Sequence, residues 1–406
     1  GSRVAVKDIP CRSEAGLNRV VAEAQMLKKA LEQLSAAGGQ PLATRIPVLL
    51  ASNIEVAAPD GWRVRLVMTE VPGRPLEEVL EFRRRASKAQ PVTTVDALGL
   101  KVARSCRLAG ELVVQLAPVL EAISPRVCHR DVTPRNIQVS GSETDAPTFG
   151  LVDFGLAVDA SAWRAHDSGD LAGDGRYWPP SAWLLFSRGA KELRRHPDLD
   201  NEYRERLDIF SLGLSVLRCL VETMPSLEID GSVERRPWLG DVVRGFGRIE
   251  AAWKRYWADA CGFWQPVFEA FRSAGDFETL RARYGRARVA STISEDVWVL
   301  REALEGGKAA CLRAPAGSGF SSVPDLFDAI LLLLGNSQSA AHVPSGMDAK
   351  VLECPAIGAK GRSASFDRSL SDSTLTPVSS APSSEIAEDD RERCDSVTFC
   401  PVELRT

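Results

Sequence analysis

Apolar and polar positions alternate over residues 3–9, RVAVKDI, a period-two pattern rich in Val that predicts a β-strand. The period then lengthens. Val20, Val21, Ala24, Leu27, Leu31 and Leu34 recur at helical spacing, and Gly38 with Gly39 supplies the stop. IPVLLASNIEVA (46–57) and WRVRLVMTEV (62–71) read as two strands turning at PDG. PLEEVLEFRRRASKA (75–89) and VARSCRLAGELVVQLAPVLEAI (102–123) are helical in pattern. Residues 127–159 break into short apolar runs around charged loops. DIFSLGLSVLRCLVETM (208–224) is apolar almost all round, which predicts a buried helix. The stretch 238–304 is helical and rich in Trp. From residue 336 onward Ser, Pro, Asp and Gly dominate, and such a segment buries too little apolar surface to offset its ordering entropy. There is no internal repeat. The expected class is α+β: a small β-rich part over residues 1–73, a larger helical part over 74–335 with ligands between the two, and a disordered tail over 336–406.

Composition narrows the field. Of 406 residues 44% are hydrophobic and 26% charged, as in soluble globular chains. A net charge of −4 gives no general attraction to nucleic acid or to anionic membranes. The longest apolar run, AILLLLG (329–335), is too short to span a bilayer. The opening GSRVAVK looks like a hairpin turn running into a strand, so the true N-terminus is expected upstream and a signal peptide could lie there. Nine cysteines without CxxC pairs argue against zinc; each reads as a small buried hydrophobe, and the redox compartment stays open.

The stretch VCHRDVTPRN (127–136) carries the chemistry. Asp131 opens a loop that Asn136 closes, IQV leaves as a strand, and FGLV (149–152) runs into DFG (153–155). A hairpin of those two strands would bring Asn136 and Asp153 to one edge. Their hard oxygens suit Mg²⁺, which takes its other ligands from water and from a nucleotide's phosphates. Asp131 is then placed to orient a hydroxyl and accept its proton. Lys7 can supply a cation to the phosphates, and Glu23, on the apolar-flanked side of the first helix, can hold Lys7 in place. Individually these residues have blander readings: a solvated strand Lys, a surface Glu, a structural His129.

VAVK, HRD…N and DFG, in this order, resemble the eukaryotic protein kinases. Glu23 resembles the glutamate of their helix C. RLVMTEVPGRPLEEVL resembles the segment leading into the hinge, with Met68 or Thr69 as gatekeeper and Thr69, Glu70 and Val71 near the adenine. ERLDIFSLGLSVL resembles the buried helix whose Asp208 braces the catalytic loop. The likeness covers roughly residues 3–224 and extends weakly to about 335. It implies a bilobal fold and transfer of the γ-phosphate of Mg-ATP to a protein substrate. Carried over residue by residue, Lys7 contacts phosphates and pairs with Glu23, Asp131 orients the acceptor, and Asn136 and Asp153 hold Mg²⁺. Met68, Thr69, Glu70 and Val71 border the adenine. Arg130 reaches into residues 156–180 to meet a phosphate on Ser161 or Ser168, or one of Asp167, Asp170 and Asp174.

Departures from the family pattern matter. Thr133 stands where many Ser/Thr kinases carry a Lys that contacts the transferred phosphate, with Arg135 as a candidate replacement. The A-P-E position reads PPS (179–181), so Ser181 leaves its usual ion pair unmade. No glycine-rich loop precedes VAVK. Either the chain is cut before that loop, or the protein resembles the secreted coccidian "with no Gly-loop" kinases related to rhoptry kinases. The compartment follows the same fork, cytoplasmic or secreted into the parasitophorous vacuole, and the oligomeric state is open. Retention of every ionic group favours an active kinase, and Pro134 favours Ser/Thr acceptors. The alternatives are a pseudokinase scaffold and a small-molecule or lipid kinase. GSGFSS (317–322) lacks the lysine of a phosphate loop and reads as a linker, and FRRRAS (82–87) reads as a solvated helix face.

Overall fold

The alternation at the start of the chain builds strand β1 (Arg3–Cys11), and the 3.6-residue pattern after it builds helix α1 (Glu14–Ala37). The computed structural model describes residues 3–37, 40–56, 61–87, 95–141, 146–165, 171–225, 237–274, 289–315, 318, 320, 323–335 and 400–403. The Ser13 hydroxyl accepts the Gly16 amide at 3.1 Å and starts α1 one turn earlier than its apolar stripe indicates. β2 (Leu49–Val56) and β3 (Trp62–Thr69) form the expected hairpin, and β3 pairs antiparallel with β1 from Val4↔Thr69 to Cys11↔Trp62.

α1 lies against this sheet. Its buried residues are Gly16, Val20, Glu23, Met26, Leu27, Ala30 and Leu34. Val21, Ala24 and Leu31, expected in the stripe, are only half-buried. The buried face is rotated to include Gly16, Met26 and Ala30. Its period is unbroken, and a glutamate occupies one core position.

The remainder is mostly helix. β4 (Arg74–Pro75), α3 (Leu76–Ser87) and α4 (Val95–Ile123) lead into four short strands: β5 (Val127–Cys128), β6 (Ile137–Ser140), β7 (Thr148–Leu151) and β8 (Val158–Asp159). β6 and β7 pair antiparallel from Ile137↔Leu151 to Ser140↔Thr148, as the hairpin reading requires. α5 (Ala160–Ala165), α6 (Pro180–Arg188), α7 (Ala190–Leu193), α8 (Pro197–Glu205), α9 (Leu207–Thr223), α10 (Pro237–Ala274), α11 (Val289–Cys311) and α12 (Val323–Leu333) follow. α9 is buried without interruption from Phe210 to Leu220, so its apolar surface on every side has a partner. Of the stretch 238–304 expected to be helical, residues 238–274 lie in α10 and 289–304 in α11, and 275–288 lie outside the described residues. Arg84 and Arg85 on α3 are exposed, in line with a solvated face there. Of the proposed linker, Phe320 is buried and meets Trp238 edge-on at 6.0 Å. Six cysteines among the described residues carry thiols outside any disulfide, four of them buried. Among the described residues no helix is long and apolar enough to cross a membrane.

One expectation needs correction. Residues 336–399 of the expected disordered tail lie outside the described residues, but Cys400–Glu403 form strand β9, antiparallel to β1 with Arg3↔Glu403 through Val6↔Cys400. The sheet order is β2-β3-β1-β9. An open sheet edge carries a row of unpaired N–H and C=O groups, and a short extended segment satisfies it whatever the composition around it. Deleting residues 398–406 is therefore expected to speed amide exchange over residues 3–6 by on the order of tenfold or more, with α9 unaffected. Exchange mass spectrometry of full-length and truncated chains measures this; unchanged protection of β1 would show that the pairing contributes nothing.

Candidate active site

Lys7 points from β1 toward α1. Its Nζ donates to both Glu23 oxygens, at 2.9 and 3.0 Å, and to Asp153 Oδ1 at 3.0 Å. Lys7 and Glu23 are 8% and 4% exposed, so each would be costly to bury without the other. Burial by itself would lower the Lys7 pKa. The charges of Glu23 and Asp153 outweigh it, and the ammonium is held above its ordinary value. Asp153 shows the mirror image: burial opposes its ionisation, the Lys7 charge and hydrogen bond prevail, and the carboxyl is held below its ordinary range.

Asp153 sits at φ +63° and Arg130 at φ +66°. Left-handed backbone is uncommon outside glycine and costs about 1 kcal/mol or more, so something must hold these two residues. At Arg130 the holder is Asp208, at the N-terminus of α9. Its carboxylate accepts the backbone amides of His129 at 2.6 Å and Arg130 at 2.7 Å. At Asp153 the hairpin positions the chain, with the Val152 amide donating to the Asn136 carbonyl at 2.9 Å. Gly155 follows where a Cβ would stand 3.2 Å from Asp153 Oδ1 and 3.5 Å from Glu23 Oε2.

The loop between is closely tied. The Asp131 amide donates to His129 Nδ1 at 3.3 Å, so Nε2 carries the ring proton and donates to the Val152 carbonyl at 3.2 Å. The imidazole meets the Phe154 ring edge-on at 4.7 Å, the structural place expected of it. The Asn136 amide nitrogen donates to the Asp131 carbonyl at 3.0 Å and to Asp131 Oδ2 at 2.7 Å. Asp131 Oδ1 accepts the Asp174 amide at 3.2 Å. Gly173 permits that approach: at φ +83° it lies where a Cβ would meet the Arg130 carbonyl oxygen at 2.2 Å. Burial raises the Asp131 carboxyl above its ordinary pKa, against the pull of the Arg135 charge and the Asp174 amide, in the direction that suits a proton acceptor near neutrality.

The structure thus joins Lys7, Glu23 and Asp153 in one cluster and Asp131 with Asn136 in another. Met68 pairs with Ala5, two residues from Lys7, and is buried, whereas Thr69 Oγ1 accepts the Val48 amide at 2.9 Å. Glu70 pairs with Arg3 at 3.2 Å, and Val71 lies against Gly150, where a Cβ would meet it at 2.4 Å.

Arg130 reaches into residues 156–180, as expected. Its Nε donates to the Leu156 carbonyl at 2.7 Å and its guanidinium lies 5.4 Å over the Trp163 ring. Ser161 hydrogen-bonds Asp159, and Asp174 pairs with Arg176. Ser168, Asp167 and Asp170 lie outside the described residues. Thr133 is 2% exposed, with no hydrogen-bond partner for its hydroxyl oxygen among the described residues, and Arg135 is exposed.

Three residues escaped the sequence reading. Glu202, on α8, accepts the Ser181 amide at 3.1 Å and feels the charges of Arg301 and Arg206, both of which donate to carbonyls at the end of α12. It anchors the segment that Ser181 leaves without an acid. Lys29 and Asp159 pair at 2.6 Å across 130 residues. Long-range pairs of this kind carry no local sequence signal.

The Asp208 bonds imply a large stability effect. Asp208→Ala leaves two buried N–H donors unpaired, a loss of about 2–5 kcal/mol, and Asp208→Asn about half of that because one amide oxygen still accepts. Urea denaturation reads both as midpoint shifts; an unshifted midpoint for Asp208→Ala would mean the loop does not depend on it. No protein-family model matches the chain, and no curated protein matches it.

Proposed function

We infer that the chain is a protein kinase that transfers the γ-phosphate of Mg-ATP to Ser or Thr hydroxyls. The observation that carries this reading is the meeting of Lys7, Glu23 and Asp153 within hydrogen-bond distance, next to an Asp131 fixed by Asn136. A buried ammonium between two carboxylates is a cation held ready, and phosphate oxygens are ligands that would use it.

The donor set fits Mg²⁺. Asn136 spends its amide nitrogen on Asp131, so its carbonyl oxygen is the atom to offer a metal. The Asp153 carboxylate is 41% exposed and fully ionised at neutral pH. Two hard oxygens suffice when phosphates and water complete the shell. Bound there, Mg²⁺ would screen the phosphate charge. Lys7 would steady the non-transferred phosphates. The acceptor oxygen bonds to the γ-phosphorus as its bond to the β–γ bridging oxygen breaks, ADP departs with that electron pair, and the acceptor's proton passes to Asp131. Thr133 offers a hydroxyl donor in place of a second cation, which favours a slow chemical step.

The test is calorimetry of the full chain with ATP, with and without Mg²⁺, beside transfer of label from ATP to a generic protein acceptor. Mg²⁺-dependent binding with transfer is expected. Binding without transfer would favour a pseudokinase scaffold, and absence of both would overturn the reading.

A further inference from the structure

Lys29 lies six residues beyond Glu23 on α1, and its Nζ is 2.6 Å from Asp159 Oδ2. Asp159 has three attachments. Its other oxygen accepts the Ser161 amide at 3.0 Å, the Ala162 amide at 3.1 Å and the Ser161 hydroxyl, which caps α5. Its backbone pairs with Val127 in the β5–β8 ladder, two residues before His129. The Lys29 hydrogen bond, with the Ser161 and Ala162 donors, holds its carboxyl far below the ordinary range. One carboxylate thus joins the helix that carries Glu23, the strand that leads to Asp131, and the segment that leaves Asp153.

The neighbouring contacts point the same way. The Ala160 amide donates to the Arg126 carbonyl at 2.9 Å. Trp163 packs on Tyr203 at 4.8 Å with the Arg130 guanidinium over its own ring at 5.4 Å, and Arg164 pairs with Glu205 at 2.7 Å. Lys29 already meets an unmodified carboxylate, and Arg130 is already engaged by the Leu156 carbonyl and the Trp163 ring among its contacts.

We propose that Asp159 is a positioning residue: through Lys29 it holds α1 so that Glu23 stays on Lys7, and the site is assembled in the chain without covalent modification. The blander alternative is a partly exposed ion pair of little consequence, since such pairs often contribute nothing measurable. The two are separable because Asn caps a helix about as well as Asp. Asp159→Asn keeps the cap of α5 and removes the charge that Lys29 meets.

The proposal rests on the phosphotransfer reading for its kinetic arm only. Amide exchange over residues 14–37 is read on the nucleotide-free, phosphatase-treated full chain for wild type, Asp159→Asn, Lys29→Met and the charge-conserving Lys29→Arg. Exchange is expected to quicken about fivefold in the two variants that lose a charge and to stay near wild type in Lys29→Arg. In parallel, the ATP KM is expected to rise about fivefold in the two charge-loss variants, with Lys29→Arg near wild type and wild-type turnover unchanged by phosphatase. Unaltered α1 exchange in Asp159→Asn and Lys29→Met overturns the strap. A tenfold loss of wild-type turnover on phosphatase treatment overturns assembly without modification. If exchange responds as expected and no variant transfers phosphate, the strap stands and the kinase reading fails.

Discussion

Asp131→Asn is expected to lower phosphoryl transfer by on the order of 10³-fold, while Mg-ATP affinity changes by less than about threefold. Asp131 is not the group that would meet the nucleotide: Lys7, Asn136 and Asp153 are. The substitution removes the atom that takes the acceptor's proton. It also sets an NH₂ group against one of two N–H donors, because Asp131 Oδ2 accepts from Asn136 and Oδ1 from Asp174. A melting curve must therefore accompany the kinetics, so that loop disruption is separated from loss of the base. Single-turnover rates at saturating Mg-ATP with a generic protein acceptor measure the effect. The pH profile adds a second reading. Burial raises the Asp131 carboxyl, and a base works only when ionised, so wild-type transfer is expected to fall as pH drops through that raised value. The fall should begin above the range near 4 of a free carboxyl, and the variant should lack that limb. A variant turning over at the wild-type rate would remove Asp131 from the chemistry.

Much of this geometry was legible in the sequence because its parts are local. Asp131 and Asn136 lie in one loop, the β6–β7 hairpin follows from two short apolar runs, and the apolar stretch 208–224 can be buried only as a helix surrounded by protein. Glu23 was readable for a subtler reason. The series Val20, Glu23, Leu27, Ala30, Leu34 is an unbroken core stripe in which one member is an acid, and such an acid needs a buried cation. What was not legible depends on tertiary approach. Lys29 meets Asp159 only once α1 is docked, and Glu202 meets Ser181 only once α8 has turned back. The stripe on α1 is rotated to take in Gly16, Glu23 and Ala30, because the buried face is set by which side of the helix docks and apolar spacing alone does not encode that. β9 was missed because four residues of extended chain have no periodicity to display; the unpaired edge of β1 recruits them.

The second large effect concerns Asp153. Asp153→Ala is expected to weaken Mg-ATP binding at least about 100-fold, close to 2.7 kcal/mol, because it removes the one charged oxygen ligand and leaves phosphate repulsion unscreened. Lys7 keeps Glu23, at 2.9 and 3.0 Å, so the cation is not lost with the acid and the sheet should remain folded. Backbone strain gives an internal control. At φ +63° alanine carries the cost of left-handed backbone and glycine does not, so Asp153→Gly should melt above Asp153→Ala by a few °C while both bind Mg-ATP equally poorly. Affinity and stability would then separate cleanly. The linkage sign is also fixed. Lys7 depresses the Asp153 pKa, so this pair stabilises the fold above the carboxyl's unfolded value near 4, and that contribution is lost as pH falls through the lowered folded value. At neutral pH Asp153 is fully ionised, and Mg²⁺-dependent binding should be flat from about pH 6 to 8. Calorimetry of wild type, Asp153→Ala and Asp153→Gly, with and without Mg²⁺, decides it. Tight, metal-independent binding retained in both variants would mean that Asp153 is a partner of Lys7 alone and that the nucleotide is held by other groups.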